Sequence, residues 1–242
     1  MEKGVHKYFY EFIVIVAGIT ISLFFDELAE DFKRDKQEKY FLQNLLANLE
    51  DDSIKLKGAI NFIVEVESST TLLLKYHLEK PTPNFNEDEI ATSQTNLLQH
   101  TIFASNKSVF EELKSTGAFV TIKNKTLKND LFRYYGAVNA AKENDLSADN
   151  VIVNYVYPCL NGQIQLSELA LLNARYSFMF ENLDKAKVTL PEFNPSLEGR
   201  NDFLNAIIIR KGINVAQQQM YTNLMERVKE LRVTIKAELM KN

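Results

Sequence analysis

The sequence predicts an all-α protein: an N-terminal transmembrane helix continues into a bundle of long helices, against which a long C-terminal helix lies antiparallel. Three observations predict this fold. An uncharged apolar run extends from Phe12 to Phe25. No proline occurs before Pro81, so the chain can stay helical for a long distance after this run. Apolar residues also recur at spacings of three and four near both ends of the chain, which is the helical period.

Composition excludes several classes of protein. The chain has 242 residues, is 45% hydrophobic and 25% charged, and has only 8 Gly and 5 Pro, as folded globular proteins do. Its net charge is -4 and its basic residues are scattered among acids, so we expect no nucleic-acid partner. The single cysteine, Cys159, cannot form an intramolecular disulfide. Beside Pro158, it is interpreted as a small buried hydrophobic residue.

We divide the chain into a short tail (residues 1–7), a transmembrane helix (8–25) and a soluble helical domain (26–242). A helix of about 18 residues is roughly 27 Å long, which is just enough to cross a hydrocarbon core. The predicted membrane anchor consists of Phe12, Ile13, Val14, Ile15, Val16, Ala17, Gly18, Ile19, Thr20, Ile21, Ser22, Leu23, Phe24 and Phe25.

Three other interpretations of the apolar run are less favoured. A core helix of a soluble protein would usually keep a polar face, which this run lacks over about four turns. A cleavable signal peptide would end in small residues, whereas the run is followed by Asp26, Glu27 and Leu28. An amphipathic interfacial helix would need a basic face, which this run lacks.

Glu11 is the candidate functional residue of the span, because carboxylates inside membranes often mark functional sites. The simpler interpretation is that the Glu11 side chain extends to the membrane–water interface, between Tyr8 and Tyr10. Basic residues flank both ends of the span and do not fix its orientation. The acidic residues directly after the span and the short tail favour an inside N-terminus with the domain outside the cytoplasm.

After the span, one apolar stripe predicts a long helix. Asp52 and Thr70 interrupt the stripe, and a second stripe widens its apolar face, which favours a bundle over a two-stranded coiled coil. The first stripe contains Leu42, Leu45, Leu49, Leu56, Ala59, Ile63, Val66 and Leu73, and the second contains Leu46, Ile60 and Leu74.

Turn residues from Lys80 to Phe85 separate this helix from the next. Asn86 is the expected cap of a helix that continues to about Ala104. Ser108 and Glu111 have capping-box spacing, and Gly117 is placed to end the short helix that follows. Residues 118–123 are expected to be extended.

Asn124 is expected to open a helix with Leu127, Leu131, Tyr134, Val138 and Ala141 on one face. This helix is expected to break or bend near 144–147, to resume to Tyr157 and to stop at Pro158. A fifth helix is predicted over Gln163–Leu183, and a loop over Pro191–Pro195. A helix from about Arg200 to Met240 would be roughly 60 Å long, and we expect it to lie beside the post-anchor helix. Its apolar face contains Phe203, Ile207, Gln217, Tyr221, Leu224, Val228, Leu231 and Ile235.

Two stretches resemble a bacterial family of single-pass membrane proteins of unknown function. One begins with the anchor and its flanks, Lys7–Glu30, and continues through Lys39–Leu45; the other contains Ser115–Lys125 and Tyr134-Tyr135. The chain departs from the family directly after the span, where Phe24, Asp26, Glu27 and Leu28 replace the usual Gln, Asn, Asn and Trp. The resemblance implies a membrane-anchored helical protein of prokaryotes, and it implies no activity.

The sequence indicates neither an enzyme nor a metal or cofactor site. His6, His77 and His100 are isolated, and no phosphate-binding loop or GxSxG elbow occurs. The acidic pairs, Asp51-Asp52 among them, are interpreted as solvated helix faces, and Tyr134-Tyr135 and Tyr155-Tyr157 as core or rim packing rather than a ligand cleft.

Two functions remain. The favoured one is a scaffold or sensor-like module in the bacterial inner membrane, with a soluble domain in the periplasm that packs its helices against another protein or another copy of the chain. The alternative is a homo-oligomeric channel or membrane-disrupting effector, in which the anchors of several copies assemble. The first is favoured because one span with few polar residues is a poor pore lining.

Overall fold

A computed structural model describes residues 2–78, 85–161 and 197–241, with side chains described from Phe12 onward except at 87, 160–161 and 197–200. These parts of the chain contain helices and no strand, which confirms the all-α prediction. The helices are α1 (Glu2–Leu78), α2 (Glu87–Asn96), α3 (Ser108–Ser115), α4 (Lys125–Val151), α5 (Tyr157–Asn161) and α6 (Leu197–Lys241). A 3₁₀ turn spans Ala118–Thr121, and a π-helical turn spans Ile152–Val156.

The α1 helix has 77 residues and passes from the apolar run into the bundle without a break. All eight residues of the predicted first stripe, from Leu42 to Leu73, are buried. Asp52 and Thr70, which interrupt the stripe, are buried with them. The stripe was therefore identified correctly, and its two polar members point into the core rather than into solvent.

The 45-residue α6 helix lies antiparallel to α1, as predicted. Ser53 Oγ of α1 lies 3.5 Å from Met225 Sδ, and Lys211 Nζ donates to Thr71 Oγ1 at 2.7 Å. The rings of His77 and Phe203 meet edge to face, with centroids 5.0 Å apart. In these three contacts, residues later in α1 meet residues earlier in α6, so the two helices run in opposite directions. Every predicted apolar-face residue of α6 is buried, Gln217 included.

The described residues belong to two compact units. Unit 1 contains residues up to Leu49, Lys107–Leu131 and the end of α6 from Leu231. Unit 2 contains Glu50–Asn106 and Phe132–Glu230. One apolar cluster of unit 2 joins α1, α2, α6 and the π-helical turn, and consists of Leu73, Ile90, Ala91, Leu97, Ile152, Val156, Phe203, Ala206 and Ile207.

The prediction that the helix after Asn86 continues to about Ala104 is wrong. Asn86 does cap α2, since its side chain accepts a hydrogen bond from the Asp88 N–H. However, α2 ends at Asn96, and residues 97–106 are not helical. Side chains from other helices bind the backbone of this segment and replace the helical hydrogen bonds that it lacks.

The expected boundaries around α3 need two corrections. Lys107, not Ser108, occupies the N-cap position and makes no side-chain cap, while Ser108 Oγ lies 3.2 Å from Asn48 Nδ2. Residues Ala118–Thr121 form a 3₁₀ turn instead of an extended segment. Gly117 follows α3 in the left-handed conformation, with a φ of 72°, so its predicted position at the helix end is correct.

Asn124 caps α4 as expected, because its Oδ1 accepts the Leu127 N–H at 3.0 Å. The predicted face of α4 is buried along its whole length. The helix does not break near 144–147, since α4 continues through these residues to Val151. Pro158 does not stop the helix either: the π-helical turn directly before it changes the hydrogen-bond pattern where proline lacks an N–H, and α5 follows.

The predicted fifth helix, Gln163–Leu183, and the predicted loop, Pro191–Pro195, lie outside the described residues, as does most of the turn from Lys80 to Phe85.

Candidate functional site

The predicted anchor is an exposed apolar stretch of α1. The large apolar side chains from Phe12 to Phe25 are between 44% and 70% exposed. By length and composition, α1 is the one helix among the described residues that could cross a membrane. Thr20 Oγ1 donates to the Val16 carbonyl at 2.8 Å, so this hydroxyl is satisfied within its own helix. Each large apolar side chain gains about 1.5–3 kcal/mol when it leaves water, which a lipid environment would supply.

Glu11 lies on the backbone of α1, but its side chain is outside the described residues, so a functional role for it stays a prediction. Beyond the anchor, α1 is exposed except at the half-buried Asp35, and the first buried residue is Glu38. Phe25 and Glu38 are 13 positions apart, or roughly 20 Å along a helix. The bundle therefore begins at a distance from the apolar run that exceeds the thickness of a headgroup layer.

In unit 1, polar contacts connect the residues at the start of α4 to α1 and to the end of α6. Glu38 Oε1 accepts the Lys123 backbone N–H at 2.7 Å, and Asn124 Nδ2 donates to Glu238 Oε1 at 2.8 Å. The Lys123 ammonium lies 2.6 Å from Asp35, which raises the pKa of Lys123. Hydrogen bonds from Lys241 and Asn124 lower the pKa of Glu238.

In unit 2, Asp52 is the centre of a buried hydrogen-bond cluster. Its carboxylate accepts from Ser105 Oγ at 2.6 Å, from the Asn106 N–H at 2.7 Å and from the Tyr134 hydroxyl at 2.7 Å. Three donors can hold a carboxylate charge in the core. The interpretation of Asp52 as part of a solvated face is therefore wrong, although its neighbour Asp51 does lie at the surface with Lys55.

Asp145 forms a second buried cluster in unit 2. It accepts from Gln217 Nε2 at 2.9 Å, from the Tyr221 hydroxyl at 2.6 Å and from the Phe103 N–H at 3.2 Å. No separate signal indicated Asp145, which falls in the stretch where a break or bend was expected. Its inward position on an unbroken α4 explains why the polar residues around it do not end the helix.

Burial, and then the nearby carboxylates, raise the pKa of three tyrosines. Tyr134 lies beside Asp52, and Tyr135, whose hydroxyl is 3.4 Å from the Asn106 carbonyl, is affected by the same charge. Burial and a hydrogen bond to Asp145 raise the pKa of Tyr221. Tyr134 and Tyr135 are thus core residues, as the sequence favoured, and they form no open aromatic cleft.

The two clusters bind the backbone of segment 97–106, and two more side chains extend this binding. The Tyr157 hydroxyl donates to the Leu98 carbonyl at 2.6 Å, and Arg210 Nη2 donates to the Gln99 carbonyl. Groups on α1, α4, α5 and α6 therefore replace the backbone partners that a helix or a sheet would give this segment. These contacts hold segment 97–106 against unit 2, and Leu97 and Phe103 are its buried residues.

A groove of about 370 Å³ lies on unit 2 between α4 and α6. Three alanines, Ala137, Ala140 and Ala216, line it, so a partner's backbone can approach closely. Met220 and Leu224 give it apolar surface, while Arg227, Gln219 and Asn223 provide hydrogen-bonding groups.

Other candidate residues have structural surroundings. His100 Nε2 lies 3.2 Å from Asp149, and Cys159 is half-buried against the apolar cluster of unit 2, where burial raises its thiol pKa. Within the described residues, no group of histidine, cysteine and acidic side chains could hold a metal ion. No protein-family model, curated protein or solved structure matches the chain.

Proposed function

We propose that the protein is a single-pass protein of the bacterial inner membrane that presents a helical partner-binding domain on the periplasmic side. The continuity of α1 carries this proposal. The same helix has a stretch of exposed apolar side chains at one end and buried core residues from Phe41 to Leu73. One part of this helix is buried in the protein core, and another part has exposed apolar side chains. The exposed part needs an apolar environment of its own, which a lipid bilayer provides.

The groove between α4 and α6 is where we place the partner. A binding module needs a surface that is accessible in the folded domain, and the groove combines small residues with apolar and hydrogen-bonding groups. The buried carboxylates are engaged in holding segment 97–106, so they support a rigid platform for binding and not a reaction.

The anchor is tested by placing a charge in the apolar run. Ile19→Lys should lower the fraction of protein that stays with membranes after alkaline carbonate washing, because lysine at the centre of a span costs about 2.5–3.5 kcal/mol. Ile54→Lys is the matched control, since Ile54 is 73% exposed on the same helix but beyond the run. Release of the wild-type protein by the wash would reject the anchor.

A reporter fused after Asn242 tests orientation, and activity only in the cytoplasm would reject the periplasmic assignment.

Partner binding is tested by photo-crosslinking in intact cells. A photoreactive residue at Ala140 or Asn223, in the groove, should give a discrete adduct with another protein, whereas one at Lys229, exposed on α6, should not. The native mass in mild detergent provides the second measurement. A defined homo-oligomer with adducts between copies would favour the assembled-channel alternative, and a bare monomer without adducts would reject partner binding.

A further inference from the structure

Arg210 and Asn214 are two buried polar residues on α6 that lie in unit 2. Arg210 is 1% exposed and Asn214 is fully buried. They are four positions apart, so their side chains occupy the same face of the helix on successive turns, roughly 5–6 Å from each other at Cβ. Together they bring a cation and an amide into the interior of the unit.

Much of the hydrogen-bonding capacity of this pair is unused. Arg210 Nη2 donates to the Gln99 carbonyl, but Arg210 Nε and Nη1 have no hydrogen-bond partner within the described part of the chain. The same holds for both amide atoms of Asn214. Buried polar groups are almost always satisfied by protein, water or an ion, so three unpaired donor atoms and one unpaired acceptor atom indicate an unseen partner.

The charge of Arg210 is also uncompensated. Tyr157 is the charge partner that affects it, and no carboxylate among the described residues does so. Carboxylates on neighbouring helices have other partners: Asp145 binds Gln217 and Tyr221, and Asp149 faces His100. Burial accordingly lowers the pKa of Arg210 to about 10. A guanidinium in an apolar interior is costly unless an anion accompanies it.

We infer that Arg210 and Asn214 form an internal binding site for a compact monovalent anion. Arg210 Nε and Nη1 and the Asn214 amide provide N–H donors, and the guanidinium provides the charge that the anion neutralises. The ligand is a halide or the carboxylate of a small acid, since one fixed positive charge balances one negative charge. A multiply charged phosphate would leave excess negative charge in the core.

Thermal unfolding of the full-length protein in detergent tests this site. Helical circular dichroism is followed in sodium chloride, bromide or formate, with sodium gluconate as a bulky anion at matched ionic strength. A ligand that binds only the folded state should raise Tm by about 3–5 °C for each tenfold increase above its Kd. A rise with halides alone identifies a halide site, and a rise with formate alone identifies a carboxylate site.

Variants tie the effect to the site. Arg210→Met, which keeps the length of the side chain, should abolish the anion dependence of Tm, and Asn214→Leu should weaken it. Lys229→Met is the control, because Lys229 is exposed on the same helix and its loss should leave the dependence unchanged. If Arg210→Met does not fold, anomalous scattering from bromide in crystals of the wild-type protein replaces it, with a peak expected at the guanidinium.

Equal Tm values in chloride, formate and gluconate would overturn the inference, as would an anion dependence that persists in Arg210→Met. A bromide peak elsewhere and none at Arg210 would do the same. These outcomes are independent of the anchor and of the groove.

Discussion

Asp52 shows how one residue can organise a core that the apolar stripe only outlines. Its position in the stripe would suit leucine, yet it accepts three hydrogen bonds from groups far away in the sequence. Asp145 does the same with Phe103, Gln217 and Tyr221. A buried carboxylate with such donors fixes the position of a chain segment, because the donors lose their partners in any other arrangement.

Replacing Asp52 by alanine should therefore be severe. Asp52→Ala leaves the Ser105 hydroxyl, the Asn106 N–H and the Tyr134 hydroxyl without their acceptor, and we expect it to lower the free energy of unfolding by about 3 kcal/mol or more. Asp51→Ala removes only an exposed pairing with Lys55 and should cost at most about 0.5 kcal/mol. Urea unfolding of the full-length protein compares the two, and similar losses would contradict the assigned role of Asp52.

Alkaline pH should unfold the protein through its buried tyrosines. The pKa values of Tyr134, Tyr135 and Tyr221 are raised, first by burial. Their stabilisation is fully present below the unfolded pKa of about 10 and is lost as pH rises toward the folded values, at up to about 1.4 kcal/mol per pH unit for each. Absorbance at 295 nm should show that Tyr134, Tyr135 and Tyr221 ionise only as helical circular dichroism disappears. In Tyr221→Phe this late phase should shrink by one tyrosine, and ionisation before unfolding would contradict the prediction.

At the scale of the elements, the sequence predicted the long helices well because their signals are local. The helical period of apolar residues predicts α1, the buried face of α4 and α6, and Asn86 and Asn124 are correctly identified as caps. Segment 97–106 could not be predicted this way. It leaves the helix because its partners, Asp52, Asp145 and Arg210, lie tens of residues away. The π-helical turn before Pro158 was missed for a related reason, since a proline alone does not reveal how the preceding turn adapts.

Glycines within these elements should respond to alanine with opposite signs. Gly136 lies exposed in α4 with open space where a Cβ would be, so Gly136→Ala should stabilise the protein by about 0.8–1 kcal/mol. Gly117 also has open space but has a φ of +72°, so Gly117→Ala should destabilise it by about 1 kcal/mol or more. Chemical denaturation measures both, and a gain in stability at Gly117 would contradict the left-handed conformation.

At the scale of the whole chain, the pairing of α1 with α6 follows from length and period. Both helices present long apolar faces, and burying such faces against each other is the most economical arrangement. The register was not predictable, because successive turns of an apolar stripe resemble one another. Specific contacts in unit 2 fix the register: Lys211 lies against Thr71, and its ammonium is 3.7 Å from Glu67. The candidate anion site was hidden from the sequence as well, since Arg210 and Asn214 resemble surface residues until the fold buries them.

The register and the partner of α1 can be tested together by cross-linking cysteines at Ser53 and Met225, whose Oγ and Sδ atoms are 3.5 Å apart. With Cys159 replaced by serine, a short bis-maleimide should join the two cysteines within one chain and give a faster-migrating monomer on denaturing gels. Cysteines at Ser53 and Lys211 form the control, because Lys211 and Met225 are 14 positions, or roughly 21 Å, apart on α6. Equal reaction of both pairs would contradict the register. Cross-linked dimers in place of the fast monomer would show that α1 pairs with α6 of a second copy, which an assembled membrane complex requires and a monomeric scaffold does not.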